Sequence, residues 1–409
     1  MTRRATLFHL LGDVAHGAVL KGLALSARLV FLLTVATGLA DGELGSYVYL
    51  SSMAALLGRI GGLGLEEQLP LEIRGRRPTA SRWLRTAEIL FVLGLFLFGG
   101  ALMSRHPVLL VGALTIAYIT TSYLAGALRT IRITGSERLR DLHWILFVAM
   151  AILLPARNAE QLILLMILAL LSVQALEVVL SRVQRVIAEG RRLPSWSNFV
   201  DLVKLSWRKL VAAAAVLAIV RALVLWPEWL RMDIDLDEIA YALLIGEAFW
   251  QTLMVLVHRR YAAYCRLDKA ELAEGIRSDL SRVGPMVGLY GLLVSAGAAL
   301  IGQLDITIAG FNSWWLVAQM VGFFTAVSWY LMLRYVVWVI RDFDWRLAGL
   351  ELVLIVSQAV VVITMPVAYW PGGACIVAIA CLIGARLVAH SALSLQTSAP
   401  DSAGSRRVS

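Results

Sequence analysis

Long apolar runs recur along the whole chain, and they restrict its fold more than any other feature of the sequence. A run of about 20 apolar residues is long enough to cross a bilayer as an α-helix. Only 16% of the residues are charged and 59% are hydrophobic, whereas soluble domains carry about 25% charged residues. We therefore predict an all-α polytopic membrane protein with twelve transmembrane helices, at about residues 17–39, 45–65, 84–104, 107–128, 141–156 (the shortest run), 160–181, 210–229, 238–258, 283–303, 312–334, 347–368 and 371–393.

The positions of lysine and arginine indicate which loops face the cytoplasm, because basic residues concentrate in cytoplasmic loops of membrane proteins. With the N-terminus inside, 29 of the 37 Lys and Arg residues fall in inner segments, Arg334 among them. Three fall in outer loops, namely Arg105, Arg157 and Arg231. We therefore expect both termini in the cytoplasm. The net charge of +9 follows from these loops and does not indicate nucleic-acid binding.

The longest polar break, from about Arg182 to Lys209, divides the apolar runs six and six. We expect an N-terminal six-helix lobe over 1–190, a cytoplasmic linker at 191–209, a C-terminal six-helix lobe over 210–395 and a disordered tail at 396–409. Arg28 and Arg221 each lie eleven residues into the first run of their half, about 16 Å deep at 1.5 Å per residue. This matched depth predicts two lobes around a shared central cavity.

The sequence contains no enzyme motif from which we predict a catalytic activity. No Gly-x4-Gly-Lys-Ser/Thr phosphate loop occurs, so we expect no nucleotide hydrolysis by that route. The histidines are scattered without metal-ligand spacing, and Ser206-x-x-Lys209 matches a serine acyl-enzyme pattern that is common by chance. Asp233, Asp235 and Asp237 would suit a metal site, but we interpret them as the acidic N-terminus of the eighth helix, complementing its dipole. We predict no catalytic residues, no metal and no cofactor.

Basic residues inside the apolar runs are the strongest indication of a ligand site. An arginine at the centre of a membrane helix costs about 2.5–3.5 kcal/mol, so it is retained mainly where it meets a partner, a cavity or a ligand. Lys21 and Arg28 are seven residues apart and share a helix face. Arg59 lies between Gly58 and Gly62, a spacing that permits close approach of another helix. We expect these three basic residues to line one positive wall.

Two alternatives to ligand binding stay open for these residues. Lys21 and Arg386 are close enough to the inner ends of their runs to reach the headgroups. Arg28 and Arg221 lie deeper, and their alternative is an ion pair with a buried acid such as Glu247 or Glu177. Glu247, in an apolar stretch of the eighth run, is also a candidate for the group that binds a coupling ion.

The first 80 or so residues resemble polysaccharide and lipid-linked oligosaccharide flippases of the multidrug, oligosaccharidyl-lipid and polysaccharide (MOP) exporter superfamily. The resemblance is carried by Lys21 and Arg28, the turn at 40–47, and Gly61-Gly62-Leu63-Gly64-Leu65 before a basic loop. It implies two six-helix lobes and alternating access driven by an ion gradient. It also implies a central cationic cavity in which Lys21, Arg28 and Arg59 match the family's basic positions, while Arg221 fits less closely.

The sequence thus predicts a flippase that moves an anionic polyprenyl-diphosphate-linked glycan across the plasma (inner) membrane of a bacterium. Arginine suits this substrate because its donor fork binds phosphate bidentately. We expect a monomer in contact with membrane lipids and with glycan polymerases or glycosyltransferases, and no nucleic-acid partner. Two alternatives are a major-facilitator-type carrier of a small anion and a polytopic membrane glycosyltransferase or polymerase.

Overall fold

The structure, a computed structural model, describes residues 22–62, 80–104, 106–130, 136–185, 196–264, 269–308, 310–341 and 344–398. Lys21 lies outside these residues. The described segments form twelve helices, as predicted: α1 (Gly22–Gly38), α2 (Glu43–Gly61), α3 (Ala80–Ser104), α4 (Pro107–Thr130), α5 (Ser136–Leu153), α6 (Ala159–Arg185), α7 (Trp196–Trp229), α8 (Asp237–Tyr264), α9 (Lys269–Gln303), α10 (Trp314–Arg341), α11 (Trp345–Thr364) and α12 (Trp370–Ser398).

Most of these helices are suited to a bilayer. Eight of those described contain a segment that is long and apolar enough to span, in α3, α4, α6, α7 and α9–α12. Two further helical segments, Gly22–Gly38 in α1 and Leu142–Leu153 in α5, are apolar but shorter. The fifth apolar run, marked as the shortest in the sequence, therefore gives a short apolar segment in the structure as well.

The described helices belong to two compact units. Of the described residues, the first unit contains those up to Ile245 together with those of Thr307–Asn312, and the second contains those of Gly246–Ile306 and those from Ser313 onward. Residues 196–209 of the segment predicted as a linker are the first part of α7. Residues 396–398 of the predicted tail end α12, and 399–409 lie outside the described residues. The predicted six-plus-six lobe boundaries stay a prediction.

In the first unit, α4 is the helix on which several others pack. α2, α3 and α6 all lie against it. The Gln174 side chain on α6 donates to the Ala117 carbonyl at 2.6 Å and to the Thr121 hydroxyl at 2.9 Å. A buried amide must be hydrogen-bonded to avoid a desolvation cost, so these two bonds fix α6 on α4. A buried aromatic contact joins α1, α2 and α5 through the rings of Phe31, Tyr47 and Phe147.

In the second unit, α10 is the central helix, packed by α9 and α12. Small residues let these neighbours approach it closely. A Cβ added at Gly246 of α8 would come within 2.6 Å of the Met320 Cγ atom of α10. Gly284 on α9 receives the Trp329 ring of α10 in the same way. The side chains of α10 are consequently buried over most of its length.

Carboxylates link helix N-termini at the end of the first unit where α2, α6 and α8 begin. The Asp237 carboxylate accepts hydrogen bonds from the backbone N–H groups of Gly42 at 2.8 Å and Gly45 at 2.7 Å, at the start of α2. The Glu43 carboxylate in turn accepts from the Ala159 N–H at 2.6 Å, at the start of α6. Helix N-termini carry unsatisfied N–H groups and favour negative charge. Asp237 does begin α8, but its carboxylate caps α2.

Candidate functional site

Arg28 is a buried cation at the N-terminal half of α1, and the structure shows what holds it. Only 6% of the residue is exposed. Its guanidinium carbon lies 4.1 Å from the centroid of the Trp144 ring on α5. A cation over the face of an indole is attracted by the ring's quadrupole, by about 2 kcal/mol or more when the pair is desolvated. This contact offsets much of the cost of placing an arginine among apolar helices.

The position of Trp144 is set by the aromatic cluster of Phe31, Tyr47, Trp144 and Phe147. Its ring stands edge-on to Phe147, with centroids 5.6 Å apart. Phe147 stacks on Tyr47 at 6.0 Å and lies 5.3 Å from Phe31, and these three residues are almost fully buried. Since rings in such a cluster cannot move independently, the platform under the Arg28 guanidinium is rigid.

Helix α1 changes its winding directly after Arg28. Residues Phe31–Val35 form a π-helical turn, and Ala36–Gly38 a 3₁₀ turn. π-Helical turns are rare in proteins, and those that occur lie frequently at functional sites. The Leu32 carbonyl within the π-helical turn accepts a long hydrogen bond of 3.5 Å from the Tyr241 hydroxyl on α8, and the Tyr241 ring stacks on Phe311. No sequence pattern in α1 indicates this turn.

Arg59 lies where α2 meets α4 most closely. A Cβ added at Gly58 would come within 2.5 Å of the Tyr118 Cβ atom, and one at Gly62 within 3.0 Å of the Ser122 Cβ atom. The predicted close approach at the Gly58–Gly62 spacing is thus confirmed, with α4 as the partner helix. The half-buried Arg59 side chain projects from the helix beside this contact.

Arg221 is half-buried on α7, and α7 packs against α2. The structure therefore places Arg28, Arg59 and Arg221 in the same compact unit, with Arg221 in the first unit and not in the second. The predicted positive wall formed with Lys21, and the convergence of Arg28, Arg59 and Arg221 on one cavity, stay predictions.

Glu247 lies in the second unit, on the buried face of α8, with 6% of the residue exposed. Its neighbours in sequence confirm the predicted apolar setting. Gly246 receives Met320 and Phe324 of α10, the Phe249 ring stacks on Tyr290, and the Trp250 ring stacks on Phe324. A role for Glu247 in binding a coupling ion stays a prediction.

The sequence analysis missed the buried ion pair of Arg334 and Glu351. Arg334 was assigned to a cytoplasmic segment, but the residue is 1% exposed within α10. Its Nη1 atom donates to the Glu351 Oε1 atom of α11 at 3.1 Å. A signal was present: residues 335–340, Tyr-Val-Val-Trp-Val-Ile, are apolar, so the tenth run continues past Arg334. The assignment ended the helix too early.

The fold of this chain is similar to that of several solved structures of membrane transporters. An outward-facing MATE-family multidrug resistance transporter of the MOP superfamily matches with a TM-score of 0.60 at 14% identity, covering 94% of this chain and 96% of that one. The chain has the fold of the MATE transporters. An inward-facing structure of such a transporter matches at 0.61 with 12% identity, covering 93% and 99%. A eukaryotic MATE transporter matches at 0.55 with 10% identity, covering 94% and 99%.

These similarities concern the fold, because sequence identity is low throughout. No protein-family model matches the sequence, and no curated protein is significantly similar to it. The likeness to MATE structures extends over nearly the whole chain, and the protein is a multi-pass membrane protein. The predicted alternatives, a major-facilitator-type carrier of a small anion and a polytopic membrane glycosyltransferase or polymerase, stay predictions.

Proposed function

We propose that the protein is a secondary transporter of the MOP type that moves an anionic, polyprenyl-diphosphate-linked glycan across the membrane by alternating access. The observation that carries this proposal is Arg28, a guanidinium buried within α1 and held over the Trp144 ring at 4.1 Å. Solved MATE structures are described in both outward-facing and inward-facing conformations, which supports alternating access for a chain with the same fold.

The chemistry of the contact favours an anionic substrate. A cation–π contact holds the guanidinium through its charge, and the planar fork of N–H donors of an arginine suits a phosphate. A diphosphate that crosses the bilayer needs counter-charges along its path, because an isolated anion in an apolar medium is costly. The half-buried Arg59 and Arg221 belong to the same compact unit as Arg28 and would supply further positive charge.

A reconstituted transport assay tests this proposal. A fluorescent lipid-linked glycan diphosphate is placed in proteoliposomes, and its movement between leaflets is followed with a membrane-impermeant quencher. Arg28→Ala is expected to lower the rate about 100-fold, since a charge-assisted bidentate contact contributes up to about 3 kcal/mol. Arg28→Lys keeps the charge but loses the fork, so an intermediate rate is expected.

The matched control is Arg386→Ala, because Arg386 is an exposed arginine on α12. It should transport at the parental rate and keep the parental thermal stability in detergent. Because the Arg28 variants lose the contact with the Trp144 ring and some stability with it, all rates are compared per amount of folded protein. The proposal is overturned if the parental protein leaves the lipid-linked diphosphate in place but exports an organic cation dye, which would assign it to multidrug export. Equal rates for Arg28→Ala and Arg386→Ala would overturn the role of Arg28.

A further inference from the structure

The connection between α9 and α10 contains a small hairpin that belongs to the first unit, although both helices belong to the second. This hairpin is the segment Thr307–Asn312. Within it, the Ile308 N–H donates to the Phe311 carbonyl and the Phe311 N–H donates to the Ile308 carbonyl, both at 3.0 Å. Gly310, in the turn between them, has a φ of +81°, which glycine adopts without strain. These bonds lie within the hairpin, so they persist if it moves.

The Phe311 side chain attaches the hairpin to the first unit. Phe311 is 7% exposed, whereas Leu304 and Ile306, just before the hairpin, are 62% and 42% exposed. The Phe311 ring stacks on the Tyr241 ring of α8, with centroids 4.2 Å apart and 13° between the planes. Tyr241 is buried, and its hydroxyl donates to the Leu32 carbonyl of α1. The hairpin is therefore docked by an aromatic ring on a fixed aromatic ring.

The start of α8, on which the hairpin is docked, is held against α2. The Asp237 carboxylate accepts hydrogen bonds from the N–H groups of Gly42 and Gly45. A Cβ added at Gly45 would come within 2.9 Å of the Leu236 Cβ atom. Tyr241 follows Asp237 by about one helical turn. If the contact between Phe311 and Tyr241 opens, we therefore expect the hairpin to move and α8 to stay.

The strength of this contact suits reversible docking. Burial of one phenylalanine side chain against an aromatic partner favours the docked hairpin by a factor of about 100. The undocked hairpin is then populated at about 1%, which lies in the range of minor conformations that proteins use for switching. A contact of this strength holds the hairpin in place, and a conformational change can still open it.

The chain on either side of the hairpin allows little movement while Phe311 is docked. After the end of α9, the N–H groups of residues 304–306 all donate back to carbonyl groups of α9. On the other side, Ser313 alone separates the hairpin from the first residue of α10. One extended residue spans at most about 3.6 Å. A larger displacement of the start of α10 away from α8 therefore requires that Phe311 leaves Tyr241.

We propose that the Thr307–Asn312 hairpin is a clasp, which docks on α8 through Phe311 and is released from Tyr241 once in each transport cycle. Release in the cycle rests on the transport function proposed above, whereas docking does not. A contact that is present in one conformation and absent in another shifts the equilibrium between them. Phe311 thus stabilises the conformation described here, and its release sets how readily the protein leaves that conformation.

Docking is measured by electron paramagnetic resonance, without any substrate. Spin labels are attached at Thr307→Cys in the hairpin and Glu160→Cys at the start of α6, both exposed, after replacement of the three native cysteines by alanine. The parental hairpin should give one narrow distance distribution. Phe311→Ala should raise the undocked population about 100-fold and broaden the distribution, and Phe311→Tyr, which keeps the ring, should restore it.

The matched control for this measurement is Leu304→Ala, which shortens an exposed apolar side chain of the same connection. It should leave the narrow distribution unchanged. A narrow distribution in Phe311→Ala, or equal broadening in Leu304→Ala and Phe311→Ala, overturns the clasp. Thermal unfolding of each variant in detergent shows that the comparison is made between folded proteins.

Release is tested with a reversible cross-link. Phe311→Cys and Tyr241→Cys are joined by a short methanethiosulfonate cross-linker, since the centroids of the two replaced rings lie 4.2 Å apart. The cross-link should slow transport of the lipid-linked glycan about tenfold or more, and reduction should restore it. Each single-cysteine variant should keep its rate with the same reagent. Equal rates before and after reduction overturn release. If no lipid-linked glycan moves in any protein, the proposed substrate fails, and the cross-link is scored with the organic cation dye.

Discussion

Two buried arginines, Arg28 in the first unit and Arg334 in the second, are held over tryptophan rings at nearly the same distance, 4.1 and 4.2 Å. Their surroundings differ. Trp338 is four residues after Arg334 on the same helix, and Glu351 closes an ion pair with it. Trp144 reaches Arg28 from another helix, and α1 changes to π-helical winding three residues later. Arg334 thus has a ring contact within its own helix and an ion pair with the next helix, whereas Arg28 lies over a ring of another helix, close to a π-helical turn.

This difference indicates that the two sites serve different purposes. A paired charge keeps its neighbours in one arrangement until the pair is broken. A guanidinium over an aromatic ring is attracted through its charge, and its N–H groups have the geometry that binds an anion such as phosphate. We therefore expect substitutions at the ion pair of the second unit to affect mainly stability, and substitutions around Arg28 to affect substrate binding more than folding.

The largest effect is expected from breaking the ion pair on one side only. Glu351→Ala should destabilise the protein by about 3–5 kcal/mol, because it leaves Arg334 as an unpaired buried charge. The double variant Arg334→Met/Glu351→Met should lie close to the parental stability. Unfolding by denaturant in bicelles measures both, with the exposed Glu274→Ala as a control. A small effect of Glu351→Ala would mean that Arg334 finds another partner and that the two arginine sites are more alike than their contacts indicate.

A second test concerns the packing beside Arg59 in the first unit. Gly58→Ala should cost about 1–3 kcal/mol through overpacking, because the new Cβ meets the Tyr118 Cβ atom, which is fixed to the backbone. Gly246→Ala in the second unit should cost a similar amount, because the new Cβ meets the buried Phe324 ring at 2.9 Å as well as the Met320 side chain. Gly112→Ala has no atom within 4 Å and should stabilise its helix slightly. Equal costs at Gly58 and Gly112 would show that α2 and α4 are not in close contact.

A third test measures each cation–π contact directly. In a double-mutant cycle with Arg28→Met and Trp144→Leu, we expect a coupling energy of about 2 kcal/mol. The cycle with Arg334→Met and Trp338→Leu should give about 1 kcal/mol or less, because Glu351 still holds the guanidinium after the ring is removed. A larger coupling energy for Arg334 and Trp338 than for Arg28 and Trp144 would contradict the expected difference in strength between the two cation–π contacts.

The smallest effect is expected at the end of the first unit where helices are capped. Asp237→Ala removes the acceptor for the N–H groups of Gly42 and Gly45, and loss of an N-terminal cap costs about 1 kcal/mol. Asp233→Ala, an exposed neighbour, should be neutral. Thermal unfolding of both variants under identical detergent conditions compares them. Equal stability would indicate that water replaces the Asp237 carboxylate and that this cap does not hold α2.

The sequence by itself determined the elements. Twelve apolar runs gave twelve helices, because a chain in lipid must satisfy its backbone hydrogen bonds within each helix. The Gly58–Gly62 spacing correctly predicted a close helix contact, since the absence of side chains is visible in the sequence. Arg28 was also singled out, because the cost of an arginine in an apolar run is a property of the run itself.

The tertiary structure alone decided which residues meet. Trp144 under Arg28 and Asp237 at the start of α2 join segments far apart in sequence. Glu351 meets Arg334 from the next helix along the chain. A hydropathy pattern gives the faces of helices but not their partners, because any apolar face can pack on any other. Arg221 shows the same limit: its depth matched that of Arg28, yet only the packing of α7 on α2 placed both in one compact unit.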